Sequence, residues 1–239
     1  MSPSLHASLH ASLHAKPQEI ELDTAETAVL VIDMQNDFAA EGGLGGLAGN
    51  DIGPVRATIG PIARVCATAR AVGIPVVYLQ HGYLPDLSDL GPARSKNRIA
   101  HDAVEVGRRV RTPDGGEGRL LVHGTWNTEI LPELAPEPND VVVRKNRYSG
   151  FYGTELDAVL RRFGVTNLLV TGCTTSVCVE STVRDAMFRD YVPVVLEDCT
   201  SEPMSRANHD ASLAVIERNL GWVADSEGFV RAIETAAAR

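Results

Sequence analysis

Three residue types able to do acyl-transfer chemistry stand at comparable places in this chain: a carboxylate, a cation and a thiol, each at or just past the end of a short apolar run. Asp33 closes Ala28-Val-Leu-Val-Ile-Asp33, Lys145 closes Asp140-Val-Val-Val-Arg-Lys145, and Cys178 follows Asn167-Leu-Leu-Val-Thr171 after a tight turn. A lone cysteine is more often a small packed apolar group, and an aspartate or lysine at a strand end is commonly a cap or a solvated charge. Taken together they supply a proton acceptor, a stabilising cation and a nucleophile. In Thr171-Gly-Cys-Thr-Thr-Ser-Val-Cys178-Val-Glu-Ser-Thr-Val-Arg-Asp185 the thiol sits at the start of an expected helix. The free N–H groups and positive dipole end there are expected to favour thiolate.

What places these residues together is the alternation of the chain from residue 28 onward. Apolar runs at 28–33, 75–80, 140–145, 167–171, 192–197 and, weakly, 221–224 alternate with amphipathic stretches near 54–72, 153–163, 177–190, 205–219 and 226–238. Gly73, Gly164 and Gly221 stand where helix C-termini are expected. Continuous apolar strands separated by helices predict an α/β fold, a three-layer αβα sandwich around a mostly parallel, doubly wound sheet of about six strands. In such a sheet ligands bind outside the carboxyl ends of the strands, which is where the three residues fall. Pro193, inside one run, predicts a strand that starts late or has a free N–H side.

The domain is expected over 23–239, with residues 82–138 as an excursion rich in Gly, Pro and charge, too long for a plain connection. Ser-Leu-His-Ala occurs three times between Ser4 and Ala15. In a helix this would set His6, His10 and His14 one turn apart, a register able to hold a metal. So simple a repeat at a terminus reads instead as disordered, and residues 1–22 are set outside the fold. Glu41-Gly-Gly-Leu-Gly-Gly46 lacks the strand-to-helix context of a dinucleotide loop.

Composition narrows the function classes. The net charge of −9 argues against nucleic acid or an anionic membrane as partner, and no apolar stretch approaches the roughly eighteen residues of a membrane span. The N-terminus has no signal-peptide pattern, and Cys66, Cys173, Cys178 and Cys199 lack metal-ligand spacing, so reduced thiols in a cytoplasmic protein are expected.

Val-Ile-Asp33-Met-Gln-Asn-Asp37-Phe, Lys145-Asn-Arg-Tyr-Ser-Gly-Phe-Tyr-Gly-Thr154 and the Cys178 segment, in this order, resemble the isochorismatase-like cysteine hydrolases from about Ala28 to Phe229. The resemblance implies that Asp33, Lys145 and Cys178 form a catalytic triad. It also implies a cis peptide between Cys173 and Thr174, and an oxyanion hole made by the N–H groups of Thr174 and Cys178. It implies cleavage of an amide C–N bond through a thioester, with no cofactor, and a homo-oligomer, dimer or tetramer. Metal-binding members cluster an Asp with several His; here the stretch after Asp51 has none, and His81, His101 and His123 are far apart in sequence, so no catalytic metal is expected.

For substrate, Lys145 to Thr154 looks like ureidoacrylate hydrolases and His81 to Leu90 like biuret hydrolases, which implies a small ureido compound. Gly124 to Glu129 with Arg184 to Asp190 looks like streptothricin hydrolases, which leaves a lactam amide as the alternative; a non-catalytic small-molecule binder is the alternative of another class. Gln35, His81, Trp126 and Tyr148 are the candidate substrate-binding residues, the last three for their polar tips on apolar bodies. Arg94, Lys96, Arg98, Arg108, Arg109 and Arg111 could hold a substrate carboxylate, but read rather as a solvated or intersubunit charge cluster.

Overall fold

A computed structural model describes residues 8–239. Its strands are β1 (His10–Leu13), β2 (Ile20–Asp23), β3 (Thr27–Ile32), β4 (Val76–His81), β5 (Arg109–Arg111), β6 (Glu117–Arg119), β7 (Val141–Lys145), β8 (Asn167–Cys173), β9 (Val192–Ser201) and β10 (Trp222–Ala224). Its helices are α1 (Asn36–Ala39), α2 (Leu44–Leu47), α3 (Gly53–Ala57), α4 (Ile59–Ala71), α5 (Lys96–Ala103), α6 (Leu156–Arg162), α7 (Glu180–Met187), α8 (Arg206–Val215) and α9 (Ser226–Ala237).

The six apolar runs of the sequence become one six-stranded sheet in the order β10-β9-β8-β3-β4-β7, every pair parallel. Successive residues of a strand face opposite sides, so β3 feeds two cores. Val29 and Val31 pack with Ile62 and Val65 of α4 and Phe229 and Ile233 of α9, while Ala28, Leu30 and Ile32 pack with Leu156 and Leu160 of α6 and Val183 of α7. These are the outer layers expected from the sequence.

Pro193 is accommodated by alternation. The Val192 N–H points to Thr166 on the β8 side, so the N–H that proline lacks would point the other way, before β10 begins opposite Val194. Gly172 sits where β8 and β3 come closest: its φ is +107°, and a Cβ there would lie 2.0 Å from the Ile32 carbonyl oxygen.

The expectation for the N-terminus is corrected for the residues described. His10–Leu13 pairs antiparallel with Ile20–Asp23, and Lys16 exchanges two backbone hydrogen bonds with Val223 at the edge of the main sheet. The reason lies in a period the helical reading overlooks: leucine and alanine occupy every odd position from 5 to 15, the alternation of a half-buried strand. Ala11, Leu13 and Ala15 are buried, whereas His10, Ser12 and His14 face outward. His10 and His14 are therefore about 13 Å apart along an extended chain, not one helical turn. His6 lies outside the described residues.

The excursion has local order. It holds α5, the β5–β6 ribbon and a small core of Tyr83, Leu90, Val106 and Leu121. Its arginines are largely taken by neighbours, Arg98 by Asp102, Arg108 by Glu105 and Arg109 by Glu117.

Gly172→Ala is expected to cost about 3 kcal/mol or more, since both the backbone conformation and a main-chain oxygen oppose a methyl group. Urea unfolding measures it, and a loss below about 1 kcal/mol would show that the β3–β8 approach relaxes freely.

Candidate active site

Asp33, His81 and Lys145 stand at the carboxyl ends of three adjacent strands, β3, β4 and β7, and the nucleophile turn leaves β8 on the other side of β3. Asp33 adopts φ 55°, turning the chain sharply as β3 ends; its N–H still bonds the Leu79 carbonyl at 2.9 Å. Lys145 reaches across β4. Its Nζ lies 2.7 Å from Asp33 Oδ2, 3.4 Å from Cys178 Sγ, 3.3 Å from His81 Nδ1 and 3.2 Å from the Arg147 carbonyl oxygen. Three ammonium protons thus meet four acceptors. The side chains of the ion pair are 0% and 1% exposed, and Cys178 is 7% exposed. Asp33 Oδ1 is buried without a hydrogen-bond partner among the described residues.

Cys178 does not open an α-helix directly. Thr175–Val179 forms a π-helical turn, with the Val179 N–H on the Thr174 carbonyl at 3.1 Å, and α7 follows from Glu180. The Cys173–Thr174 peptide is cis. Among the described residues the Thr174 N–H donates no hydrogen bond.

The charges are set by burial. Desolvation pushes the Cys178 thiol above its usual 9.0, and the Asp33 carboxylate pushes it further, with Lys145 pulling back. The expectation of a lowered thiol pKa is therefore corrected: a helix terminus cannot offset removal from water beside an anion. Burial also raises Asp33 above 3.8, against the pull of Lys145. Burial opposes the charge on Lys145, but Asp33 and Cys178 outweigh it and lift the ammonium above 10.5. Burial and then Lys145 hold His81 well below 6.5, so its ring is neutral and presents the Nδ1 lone pair to the ammonium.

Of the residues expected to bind substrate, two lie around this centre. His81 touches Lys145, and its ring centroid is 5.8 Å from His101, which lies 6.1 Å from Tyr148. Tyr148 is partly exposed at the outer end of this row of rings, and burial pushes its phenol pKa up. Gln35 is corrected: its amide is consumed by main chain, Nε2 donating to the carbonyls of His81 and Thr128 and Oε1 accepting from the His81 N–H. Trp126 is not among the ring contacts of the cluster; it lies beside Gly42, and its carbonyl accepts from Asn36.

Sequence reasoning misses three contributors. Tyr83 and His101 join the ring cluster, Tyr83 Oη 3.1 Å from His101 Nε2. Asp37, fully buried, fastens the excursion by accepting from the N–H groups of Leu44 and Leu121 and from Asn127 Nδ2; burial raises its carboxyl to about 6. Asp37 lies in the Asp33 motif, but its partners lie up to 90 residues away, beyond any local signal.

Comparison with known proteins agrees with this geometry. Residues 27–228 match the Isochorismatase domain. Ureidoacrylate amidohydrolase RutB of Methylobacterium radiotolerans is 43% identical, over 92% of this chain and 84% of its own. The protein of the same name from Agrobacterium fabrum is 41% identical, over 93% of this chain and 96% of its own. Among solved structures, a cysteine hydrolase from Pseudomonas syringae pv. phaseolicola aligns with TM-score 0.75 and 30% identity, covering 90% of this chain and 95% of its own. N-carbamoylsarcosine amidase from Thermoplasma acidophilum aligns with TM-score 0.64 and 28% identity, covering 84% and 97%. With its parallel sheet and its Asp, Lys and Cys at the strand ends, the chain belongs to the isochorismatase family.

Proposed function

We propose that this chain is a cysteine amidohydrolase that cleaves a C–N bond of a small ureido compound of the ureidoacrylate kind. The observation that carries the reading is the buried ammonium of Lys145, which touches both the carboxylate of Asp33 and the sulfur of Cys178. The names of the relatives at 41% and 43% identity support the substrate class.

Charge balance dictates the order of events. The resting site holds an ammonium, a carboxylate and a neutral thiol. Releasing the thiol proton to water would leave a net negative charge in a buried space, which is costly. Passing that proton to Asp33 leaves the net charge unchanged, and the free Oδ1 can receive it. The thiolate, paired with Lys145, then attacks the ureido carbonyl; the Sγ–C bond forms as the carbonyl becomes an oxyanion facing the Thr174 and Cys178 N–H groups. Asp33 returns its proton to the departing nitrogen as the C–N bond breaks. Water then attacks the acyl thioester, giving its proton to Asp33; the C–S bond breaks to expel the thiolate, which takes that proton back from Asp33 and restores the resting thiol and carboxylate. Each oxyanion donor contributes about 3 kcal/mol.

Arg147 fits the far end of such a substrate. It makes no ion pair with a carboxylate among the described residues; its Nη1 rests on the carbonyls of Asp89 and Asn146, and its own carbonyl accepts from Lys145. A substrate carboxylate would complete its hydrogen bonding.

Three outcomes are expected. Ammonia release from ureidoacrylate should fall about 10³-fold or more in Cys178→Ala and Cys178→Ser, and retention of turnover would end the mechanism. Arg147→Ala should raise KM for ureidoacrylate about tenfold or more, the scale of a hydrogen bond to a charged group, while sparing biuret, which has no carboxylate; equal losses on both would remove Arg147 from recognition. Alkylation of Cys178 by iodoacetamide, followed by mass spectrometry, should go on accelerating past pH 9, because burial and the Asp33 carboxylate push the thiol above its usual 9.0. A rate that saturates near neutral pH would mean that the free site already holds a thiolate.

A further inference from the structure

The turn that carries the nucleophile is gripped from outside the triad. Ser176 and Thr175, the polar residues just before Cys178, each reach a buried partner in the segment that follows β9. Thr175 Oγ1 is 3.0 Å from His209 Nδ1, and both residues are buried. Glu202 Oε2 accepts from the Ser176 hydroxyl and also from the Ser176 N–H at 3.4 Å, while its Oε1 accepts from the Met204 N–H at 3.3 Å. One turn along, Ser212 Oγ donates to Glu180 Oε2 at 2.7 Å. Three side chains of residues 202–212 thus hold residues on both sides of Cys178. Neither Glu202 nor His209 makes a hydrogen bond to Asp33, Lys145 or the sulfur among the described residues.

We infer that Glu202 and His209 are positioning residues for the oxyanion turn. A carboxylate that takes both the N–H and the hydroxyl of one serine fixes the place and the rotation of that peptide. The Thr174 and Cys178 N–H groups lie two residues to either side of it. Donors of this kind act on the charge that develops in the transition state, so a small displacement costs rate rather than affinity. Substrate contacts proposed above, at His81, Tyr148 and Arg147, come from β4 and the Lys145 block and are independent of the grip. The kinetic part of the inference rests on the ureido hydrolysis proposed above; the turn's dependence on Glu202 does not.

The test therefore has two arms on the full chain. In Glu202→Ala, kcat for ureidoacrylate should fall about 10- to 100-fold with KM changed less than about threefold, the pattern of a lost transition-state interaction. Glu202→Gln, which keeps one acceptor oxygen for Ser176, should regain most of the loss. His209→Asn, whose amide can stand in for Nδ1, should exceed His209→Ala. In the second arm, hydrogen exchange of the peptide spanning 172–180 should quicken about tenfold or more in Glu202→Ala, with the β3 peptide unchanged. Should Glu202→Ala fail to fold, Ser176→Ala removes the hydroxyl alone and should show the same signs at smaller size. The inference is overturned by unchanged kcat, by a KM rise that accounts for the loss, by Gln performing no better than Ala, or by unaltered exchange. Absence of wild-type turnover on ureidoacrylate together with faster exchange in the variant would instead discard the substrate and keep the grip.

Discussion

The structure depends most on one buried ion pair, Lys145 with Asp33. Moving two charges out of water costs several kcal/mol for each, and only close geometry with further hydrogen bonds offsets it. Both conditions are met by placement on the sheet: the pair spans β4 from its two flanking strands at 2.7 Å, and the sulfur, His81 and the Arg147 carbonyl supply the remaining acceptors. Everything else in the site follows from the charge balance this sets. His81 stays neutral because it is buried and a cation already stands beside it. Cys178 stays protonated because it is buried and an anion stands beside it.

Around this pair the chain uses polar side chains to splice main chain to main chain. Gln35 ties the ends of β3 and β4 to residue 128, and Asp37 ties α1 to the α2 start and to the excursion. A loop-rich excursion with a small apolar core of its own gains its position from these buried bonds together with the packing of Leu131 and Leu134 into the main core. The ring cluster that borders the catalytic ammonium, Tyr83 and His101 with His81, is carried largely by that excursion. The ring cluster and the Asp33–Lys145–Cys178 centre are therefore held largely by separate parts of the chain that meet over the sheet.

The sheet was legible because its strands are runs of apolar residues, the inner ones buried on both faces, while the edge strand β7 keeps the run although Val142 and Arg144 are exposed. The triad was legible because Asp33 and Lys145 each terminate such a run. Less could be read where order comes from distant partners: nothing near Asp37 announces Leu121 or Asn127, and Gln35 looks available until its amide is found spent on backbone. The N-terminal hairpin escapes a reading that weighs the histidines of the repeat above its alternating leucines and alanines. The thiol was misjudged for a different reason, since a dipole can be inferred from sequence while the loss of water around a sulfur cannot.

The ammonium of Lys145 gathers groups 112 and 33 residues distant along the polypeptide, Asp33 upstream and Cys178 downstream. Contacts of such long range form late in folding, after the loops between them have closed. A nascent chain emerging from the ribosome consequently holds its cysteine apart from both charges until most of its length has been synthesised. The three-way contact arrives with the finished architecture and is lost again wherever that architecture opens.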